Sequence, residues 1–538
     1  MDRKENLDMI DISYEDLNLS YEKVTIVPVN NTDILVASKD AETMEALRNH
    51  FSFKVKGFQF MPAYKSGNWS GHIRIMKTNG VLPKGLLGEL EKVLKEWEIE
   101  IEYFDKTLNE KQMDISNVRN IIRKELVEKT GMEPWEHQWE VVEEVLKNKR
   151  CIARSATSSG KSYMQAMTIK YLHHCAYVDK TLLIVPKTDL VVQMERDFIE
   201  YGIEQDQIGL YFGKVKDTNK PITIGTWQSL QNIDDPEWFE QYDLVIADEV
   251  HLAGSGNKSS KKKRESGGTK IKQILDMCIN AEWRFGFTGT MPDEKLDYLT
   301  IVGALGPVVT EVKASVLMEE GKVAQLKIIV PFIDYQKKIV DAKIKKILLD
   351  EGIDENTPKE DIPSTARFNA EKKFLDTYLP RIKYIAKLCN TFMSKNQNVL
   401  LLVNTVENGK QLKKALTLLC KDANMITYIH GEVDVETRKK IREDIEVMQR
   451  CIVLATTSLF STGISVKNLH GLILTSMGKS KISTLQSIGR TLRLHDSKEC
   501  AKVIDIVDNL KYGSKHAQER LQYYANEEFD INIVETKL

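Results

Sequence analysis

The chain has 538 residues, with 76 Lys and Arg against 78 Asp and Glu, a formal net charge of −2. At roughly 150 residues per domain this length predicts about three to four domains, each large enough to bury a core without disulfide or metal staples. Hydrophobic residues at 42% and charged residues at 29% exclude wholesale disorder. No apolar run approaches the roughly 18 residues of a membrane span, and the polar start MDRKENLDMIDIS is unlike a secretion signal, so a cytoplasmic protein is expected.

The seven cysteines are scattered without a CxxC pair, which reads as reduced thiols and neither a zinc finger nor a disulfide framework. His173-His174-Cys175 is the one tight group of potential metal ligands, and without a second group it reads as a helix tail.

In chain order, residues 51–88 hold six basic residues, six aromatics and no acid. FSFKVK and HIRIMK alternate in the manner of strands, and a helix is predicted near 86–98. Residues 1–112 are therefore expected to form a small α+β nucleic-acid-binding domain. Lys54, Lys56, Lys65 and Arg74 are the candidate phosphate contacts. Trp69, in the turn SGNWSG, is the candidate for stacking on an unpaired base. A charged helix at about 113–129 follows.

From 150 to 290, the apolar runs RCIARS, TLLIVP, ITIGTW, YDLVIADE and RFGFTGT alternate with helical stretches, the signature of a buried parallel sheet. A second series, VLLLVNT, MITYIHG, CIVLATT, GLILTS and KVIDIVD, runs from 399 to 508. The predicted class is α/β, with two tandem RecA-like lobes over 113–310 and 371–538, the second ending in a helical segment, joined by a charged linker over 311–370. Residues 254–270, with five consecutive charges, read either as a solvated loop or as a basic loop against nucleic-acid phosphate.

Ser155-Ala-Thr157-Ser-Ser159-Gly160-Lys161-Ser162 follows a predicted strand and opens a helix. It reads as a P-loop whose amides cradle phosphate, whose Lys161 reaches the β/γ-phosphates and whose Ser162 holds Mg²⁺. Asp248 and Glu249 end a hydrophobic strand side by side, a costly arrangement unless a cation needs them. Asp248 is placed for the metal, and Glu249 for deprotonating the attacking water. Upstream, Gln138 offers a donor and an acceptor to an adenine edge and Trp135 a ring to stack on it, unless the two are a surface Gln and a core Trp. In the second lobe, Gln486, Arg490 and Arg493 lie on a predicted helix. The two arginines, three residues apart, share a face suited to stabilising charge on a transferring phosphoryl group.

The ordered set of Gln138, SATSSGKS, VPKTDLVVQ, GTWQSL, DEVH, TGT (288–290), STGISV and QSIGRTLR resembles the superfamily 2 DExH-type helicases. FSFKVKGFQF, GNWSGHIRIM, HGEVDVETR and GKSKISTLQSIGR are similar to the UvsW-type phage recombination and repair helicases. That resemblance implies an ATP- and Mg²⁺-dependent translocase acting on branched and single-stranded DNA and on RNA–DNA hybrids, as a monomer in the host-cell cytoplasm. It further implies that Thr226 and Gln228 touch the nucleic-acid backbone from the first lobe and Thr462 from the second. His251, Thr288 and Thr290 would couple hydrolysis to lobe movement. Competing readings are an RNA helicase, the motor of a restriction system, and a non-enzymatic nucleic-acid binder. The second of these requires a nuclease site, for which Pro292-Asp293-Glu294-Lys295 is too compressed.

Overall fold

The computed structural model describes residue 17 and residues 19–55, 57–105, 113–253, 267–420, 422–431, 433, 435–457, 466–475, 478 and 480–538. Lys56, Thr462 and most of the basic loop 254–270 lie outside them. The chain divides between Glu311 and Val312 into two compact units, except that Ala156–Ser159 group with the second.

The first unit opens with strands β1 (Lys23–Pro28), β2 (Asp33–Ala37), β3 (Ser52–Lys54), β4 (His72–Arg74), β5 (Val81–Pro83) and β6 (Glu100–Tyr103). Four of these form a sheet in the order β5-β2-β1-β6, while β3 and β4 pair apart as an antiparallel ribbon. The expected alternation in FSFKVK is therefore realised over three residues only, and Phe58–Phe60 turns into a 3₁₀ helix. Helix Leu87–Glu96 buries Leu90, Val93 and Leu94, the spacing that puts apolar residues on one helical face.

Eight strands follow: β7 (Arg150–Ser155), β8 (Thr181–Val185), β9 (Ile208–Phe212), β10 (Val215–Lys216), β11 (Ile222–Thr226), β12 (Leu244–Asp248), β13 (Trp283–Thr288) and β14 (Val308–Val312). Their order is β10-β9-β11-β8-β12-β13-β7-β14. The ladders from β9 through β7 are parallel. Helices cover both faces, which is why these strands read as continuous apolar runs.

The N-terminal sheet shares its hydrophobic core with this lobe: Val24, Ile34, Leu86 and Leu90 belong to one buried cluster with Ile152, Leu182, Val302 and Leu305. The Asn31 amide donates to the Ile279 carbonyl at 3.2 Å, and the Arg150 guanidinium donates to the Asn31 carbonyl. A methyl at Gly85 would stand 2.0 Å from the Val302 carbonyl oxygen, so only glycine permits this approach.

The second unit has β15 (Gln325–Asp334), β16 (Val399–Val403), β17 (Ile426–Ile429), β18 (Ile452–Thr456), β19 (Gly471–Leu474), β20 (Cys500–Asp505), β21 (Val507–Asp508) and β22 (Ile531–Lys537). The order is β17-β18-β16-β19-β20-β15-β21, with β22 also on β15 and every one of these pairings parallel. This corrects the expectation of a charged linker over 311–370. β15 is a ten-residue strand within the second sheet, and helices Lys337–Asp350 and Ser364–Thr377 follow it. Two buried ion pairs pin helices to this sheet. Arg381 reaches Asp508 at 2.8 and 2.9 Å, and Arg520 reaches Asp505 at 2.8 Å through two nitrogens. No helix of the described residues is long and apolar enough to cross a membrane.

Arg284, in the middle of the first lobe, is fully buried. Its guanidinium donates to the carbonyls of Ala304, Cys278 and Leu275 at 3.0, 2.9 and 2.6 Å. Replacing Arg284 with Met strands three buried acceptors at once, and a loss on the order of 3 kcal/mol is expected. Urea unfolding of the full chain measures it, and a loss under about 1 kcal/mol would show that these helix ends hold without the guanidinium.

Candidate active site

At the carboxyl ends of the parallel strands β12, β13 and β7, three neighbours in one sheet, the sequence motifs converge. This is the edge at which open α/β sheets bind ligands.

Ser155 ends β7 and Lys161 begins the helix Lys161–His174. Between them the backbone turns left-handed at Ser158 (φ 72°) and Gly160 (φ 82°), a geometry that directs successive amides inward as an anion nest. A methyl at Gly160 would meet Gln138 Nε2 at 2.1 Å. Lys161 Nζ donates to the Ser155 carbonyl at 3.2 Å. Ser155 Oγ, fully buried, has no protein hydrogen-bond partner.

Gln138 stands between a helix start and the P-loop. Its carbonyl oxygen accepts the Trp135 amide at 2.9 Å, closing the start of helix Glu136–Lys147, while its amide nitrogen abuts the P-loop glycine. The side chain thus joins this helix start to the P-loop, with one lone pair of its oxygen used within the protein. Trp135 is half-buried, its ring tilted against His137 at 5.5 Å.

Asp248 is the last residue of β12, and Gln165 Nε2 donates to its Oδ1 at 3.1 Å. Burial pushes the Asp248 carboxyl up to about 6, the adjacent Glu249 adds to this, and Lys161 with the Gln165 bond opposes it. Gln165 was not among the residues the motifs singled out. Its signal is the spacing of three from Ser162, which sets both on one helical face.

Glu249 has φ 48°, a left-handed conformation that costs a non-glycine residue about 1–3 kcal/mol and persists only where the surroundings enforce it. Its Oε2 lies 3.2 Å from His251 Nδ1, and the same nitrogen lies 2.9 Å from Thr288 Oγ1. Thr288 Oγ1 donates to the Thr290 carbonyl at 2.9 Å, so its lone pairs accept from His251 and Nδ1 carries the proton. One chain of contacts therefore runs from the strand-end carboxylate through His251 to the Thr288–Thr290 loop.

Of the two expected backbone contacts in the first lobe, Thr226 is 2% exposed and its hydroxyl bonds Ser229 Oγ at 3.2 Å. Its side chain is therefore closed off at the strand end and held by Ser229. Gln228 is exposed, with Nε2 donating to the Pro186 carbonyl at 3.0 Å.

On the N-terminal domain Lys54, Lys65 and Arg74 are exposed, Lys54 lying 4.5 Å above the Phe58 ring. Trp69 is half-buried, with its indole N–H donating to the His72 carbonyl at 2.8 Å.

In the second unit Gln486 and Arg490 lie on helix Lys481–Thr491. That helix stops before Arg493, so the two arginines do not share a helical face as expected. The cause is Lys498, 5% exposed, whose ammonium donates to the carbonyls of Thr491, Leu469 and Lys467 at 2.8, 3.0 and 3.1 Å. It binds the helix end to the approach of β19 and places Arg493 on a pinned turn.

Among the described residues no group of three or more potential ligands is arranged to hold a metal on its own. His173 and His174 end their helix, paired with Thr181 at 2.8 Å and Glu125 at 3.2 Å.

Comparison with known proteins gives three family matches: the N-terminal domain of the DNA helicase UvsW over residues 30–105, the res subunit of type III restriction enzymes over 131–293, and the helicase conserved C-terminal domain over 381–495. The ATP-dependent DNA helicase uvsW of enterobacteria phage T4 is 32% identical over 524 residues, 91% of this chain and 95% of that one. A putative ATP-dependent RNA helicase of Acanthamoeba polyphaga mimivirus is 26% identical over 66% of this chain and 61% of its own. S. cerevisiae Dbp5 bound to RNA and ADP BeF3 superposes with a TM-score of 0.52 at 14% identity, over 78% of this chain and 95% of that one. This last is a likeness of fold.

Asp248 titrates with a definite sign. Its folded pKa is raised above the unfolded value of 3.8, so its stabilising contribution is full below about pH 4 and lost as the pH rises through about 6. Asp248→Asn should therefore raise stability at pH 7.5 by an amount on the order of 2 kcal/mol and change little at pH 4. Urea unfolding at the two pH values tests this. An equal effect at both would assign the change to packing and not to the buried charge.

Proposed function

Because the chain belongs to the UvsW family of DNA helicases, we propose that this ATP-hydrolysing helicase is a translocase that remodels branched DNA: Holliday junctions, regressed forks, D-loops and R-loops. One observation carries the reading of the site. The P-loop lysine, the strand-end carboxylates and the threonine relay stand at the ends of three adjacent parallel strands. A phosphate cradle, a cation ligand and a base are thereby assembled on one rigid edge.

The residues fit Mg²⁺. Ser162 and Asp248 offer hard oxygen donors of the kind this ion takes, and the raised Asp248 carboxyl marks buried negative charge that a cation would relieve. When bound, the ion neutralises charge on the β- and γ-phosphates. Lys161 exchanges its bond to the Ser155 carbonyl for a phosphate oxygen, and the left-handed loop presents its amides to the same group. Glu249 takes the proton of the attacking water. Its bond to His251 ties that event to Thr288 and Thr290. In the second unit Gln486 and Arg490 share one helix, with Arg493 on the turn after it, and the two guanidinium groups have the fork geometry that suits a phosphoryl group.

Substrate choice is assigned to the N-terminal domain, where Lys54, Lys65 and Arg74 put exposed positive charge on a chain whose net charge is only −2. Because that domain shares its core with the first lobe, deleting it would expose apolar surface, so point substitutions are the appropriate probe.

Three outcomes are expected. Glu249→Gln should lower DNA-stimulated ATP turnover by about 10²–10³-fold while nucleotide affinity stays within about twofold; comparable losses in both would remove Glu249 from the chemical step. Arg490→Ala should lower kcat by about 10³-fold, and a variant whose DNA-stimulated ATPase is intact would reduce Arg490 to a surface charge. Lys54→Glu, Lys65→Glu and Arg74→Glu should each weaken fork binding and reduce the slope of log affinity against log salt by about one. Binding and branch migration are best compared on fork, junction, single-stranded DNA and RNA in one buffer. Equal stimulation by RNA and fork DNA would overturn the branched-DNA assignment.

A further inference from the structure

Ser162 Oγ lies 3.0 Å from the phenolic oxygen of Tyr201. Tyr201 belongs to none of the sequence motifs. It follows the helix Thr188–Glu200, and its ring packs on Tyr163 with centroids 4.7 Å apart. Tyr163 in turn donates its hydroxyl to the Met132 carbonyl at 2.6 Å, just ahead of Trp135 and Gln138. Two aromatic residues thus brace the first turn of the P-loop helix from the side.

The chemistry of the serine gives this contact a direction. A hydroxyl has one proton and two lone pairs. When a lone pair is given to a divalent cation the proton becomes more acidic, and a fixed acceptor for it sets the rotation of the hydroxyl. Partners of this kind orient metal ligands and tune their affinity. Asp248 Oδ1 already receives the Gln165 amide. Tyr201 Oη is an acceptor at hydrogen-bond distance from the Ser162 hydroxyl.

We infer that Tyr201 is a positioning residue of the nucleotide site: its phenolic oxygen accepts the Ser162 hydroxyl proton and so aims the serine lone pair at the divalent cation. This rests on the reading of Ser162 as a cation ligand. Tyr201 touches neither nucleotide nor cation in this scheme and acts only through Ser162.

The test uses the full chain with Mn²⁺ as the probe, its binding in the presence of a non-hydrolysable ATP analogue read by electron paramagnetic resonance. Affinity for the analogue without metal is measured alongside. Tyr201→Phe keeps the ring and removes one oxygen. It should weaken Mn²⁺ binding about tenfold and leave metal-free analogue affinity and the thermal midpoint unchanged. Ser162→Ala should weaken Mn²⁺ binding at least as much, and adding Tyr201→Phe to it should change nothing further, because the acceptor then has no hydroxyl to orient. Unchanged Mn²⁺ affinity in Tyr201→Phe, with Ser162→Ala impaired, overturns the inference and spares the cation-ligand reading. Additive losses in the double variant overturn it too, by showing that Tyr201 acts through packing. An unimpaired Ser162→Ala overturns the cation-ligand reading itself. Should Tyr201→Phe lower the thermal midpoint, Tyr201→Trp, which fills the pocket and offers no acceptor, must reproduce the Mn²⁺ loss for the inference to stand.

Discussion

Two carboxylates adjacent in sequence, drawn behind the end of a strand, repel each other in a medium that screens them poorly. Asp248 and Glu249 form such a pair, and the surrounding structure is organised around making it tolerable. Lys161 stands near enough to pull the Asp248 pKa down, Gln165 donates to one oxygen, and the left-handed backbone at Glu249 swings the second carboxylate toward His251. These compensations come from β12, from the P-loop helix and from the turn after Glu249. Their mutual placement is fixed by the parallel sheet, so the sheet can be read as a frame for one crowded pair of charges.

The N-terminal domain extends that frame. Val24, Ile34 and Leu86 share a core with Ile152 and Val302, and the Asn31 backbone donates to the Ile279 carbonyl and accepts the Arg150 guanidinium. A domain held in this way has few independent motions relative to the lobe. Ile152 of that cluster lies on β7, the strand that leads into the P-loop, so the core of the domain reaches the strand that carries the loop.

Much of this was legible in the sequence. Continuous apolar runs such as TLLIV and VLLLV have no reading in a polar, 29% charged chain except as buried parallel strands, and the spacing from SSGKS to DEVH placed lysine and carboxylates on the same sheet edge. β15 was missed because QLKIIVPFID sits between charged helices, and its pairing with β20, β21 and β22 depends on residues about 175 to 200 positions away. The end of the Arg490 helix was misjudged for a related reason. Helical periodicity continues through LRL, while the helix ends at Thr491, whose carbonyl accepts from Lys498. At Thr226 the motif located the strand end, but its burial there is a property of packing. The fusion of the N-terminal core with the first lobe rests on glycine 85 meeting residue 302, a contact that no local pattern records.

Lys498 illustrates what such long-range bonds do for chemistry. Burial pushes its pKa down to about 8, with Glu446 pulling the other way and Arg493 adding to the fall. Holding an ammonium in that environment is costly unless its three donors are all used, and all three go to carbonyls. One of these, Thr491, ends the arginine helix; the other two lead into β19. The helix that carries Gln486 and Arg490 is thus fastened at its carboxyl end to the sheet of its own unit, where a bound cation also complements the helix dipole. A charge-stabilising arginine must be held in place before the phosphoryl group moves, because reorganisation during reaction would consume the stabilisation it provides. A fixed helix end meets that requirement for any role Arg490 takes, and it comes from Lys498, a residue that no motif includes.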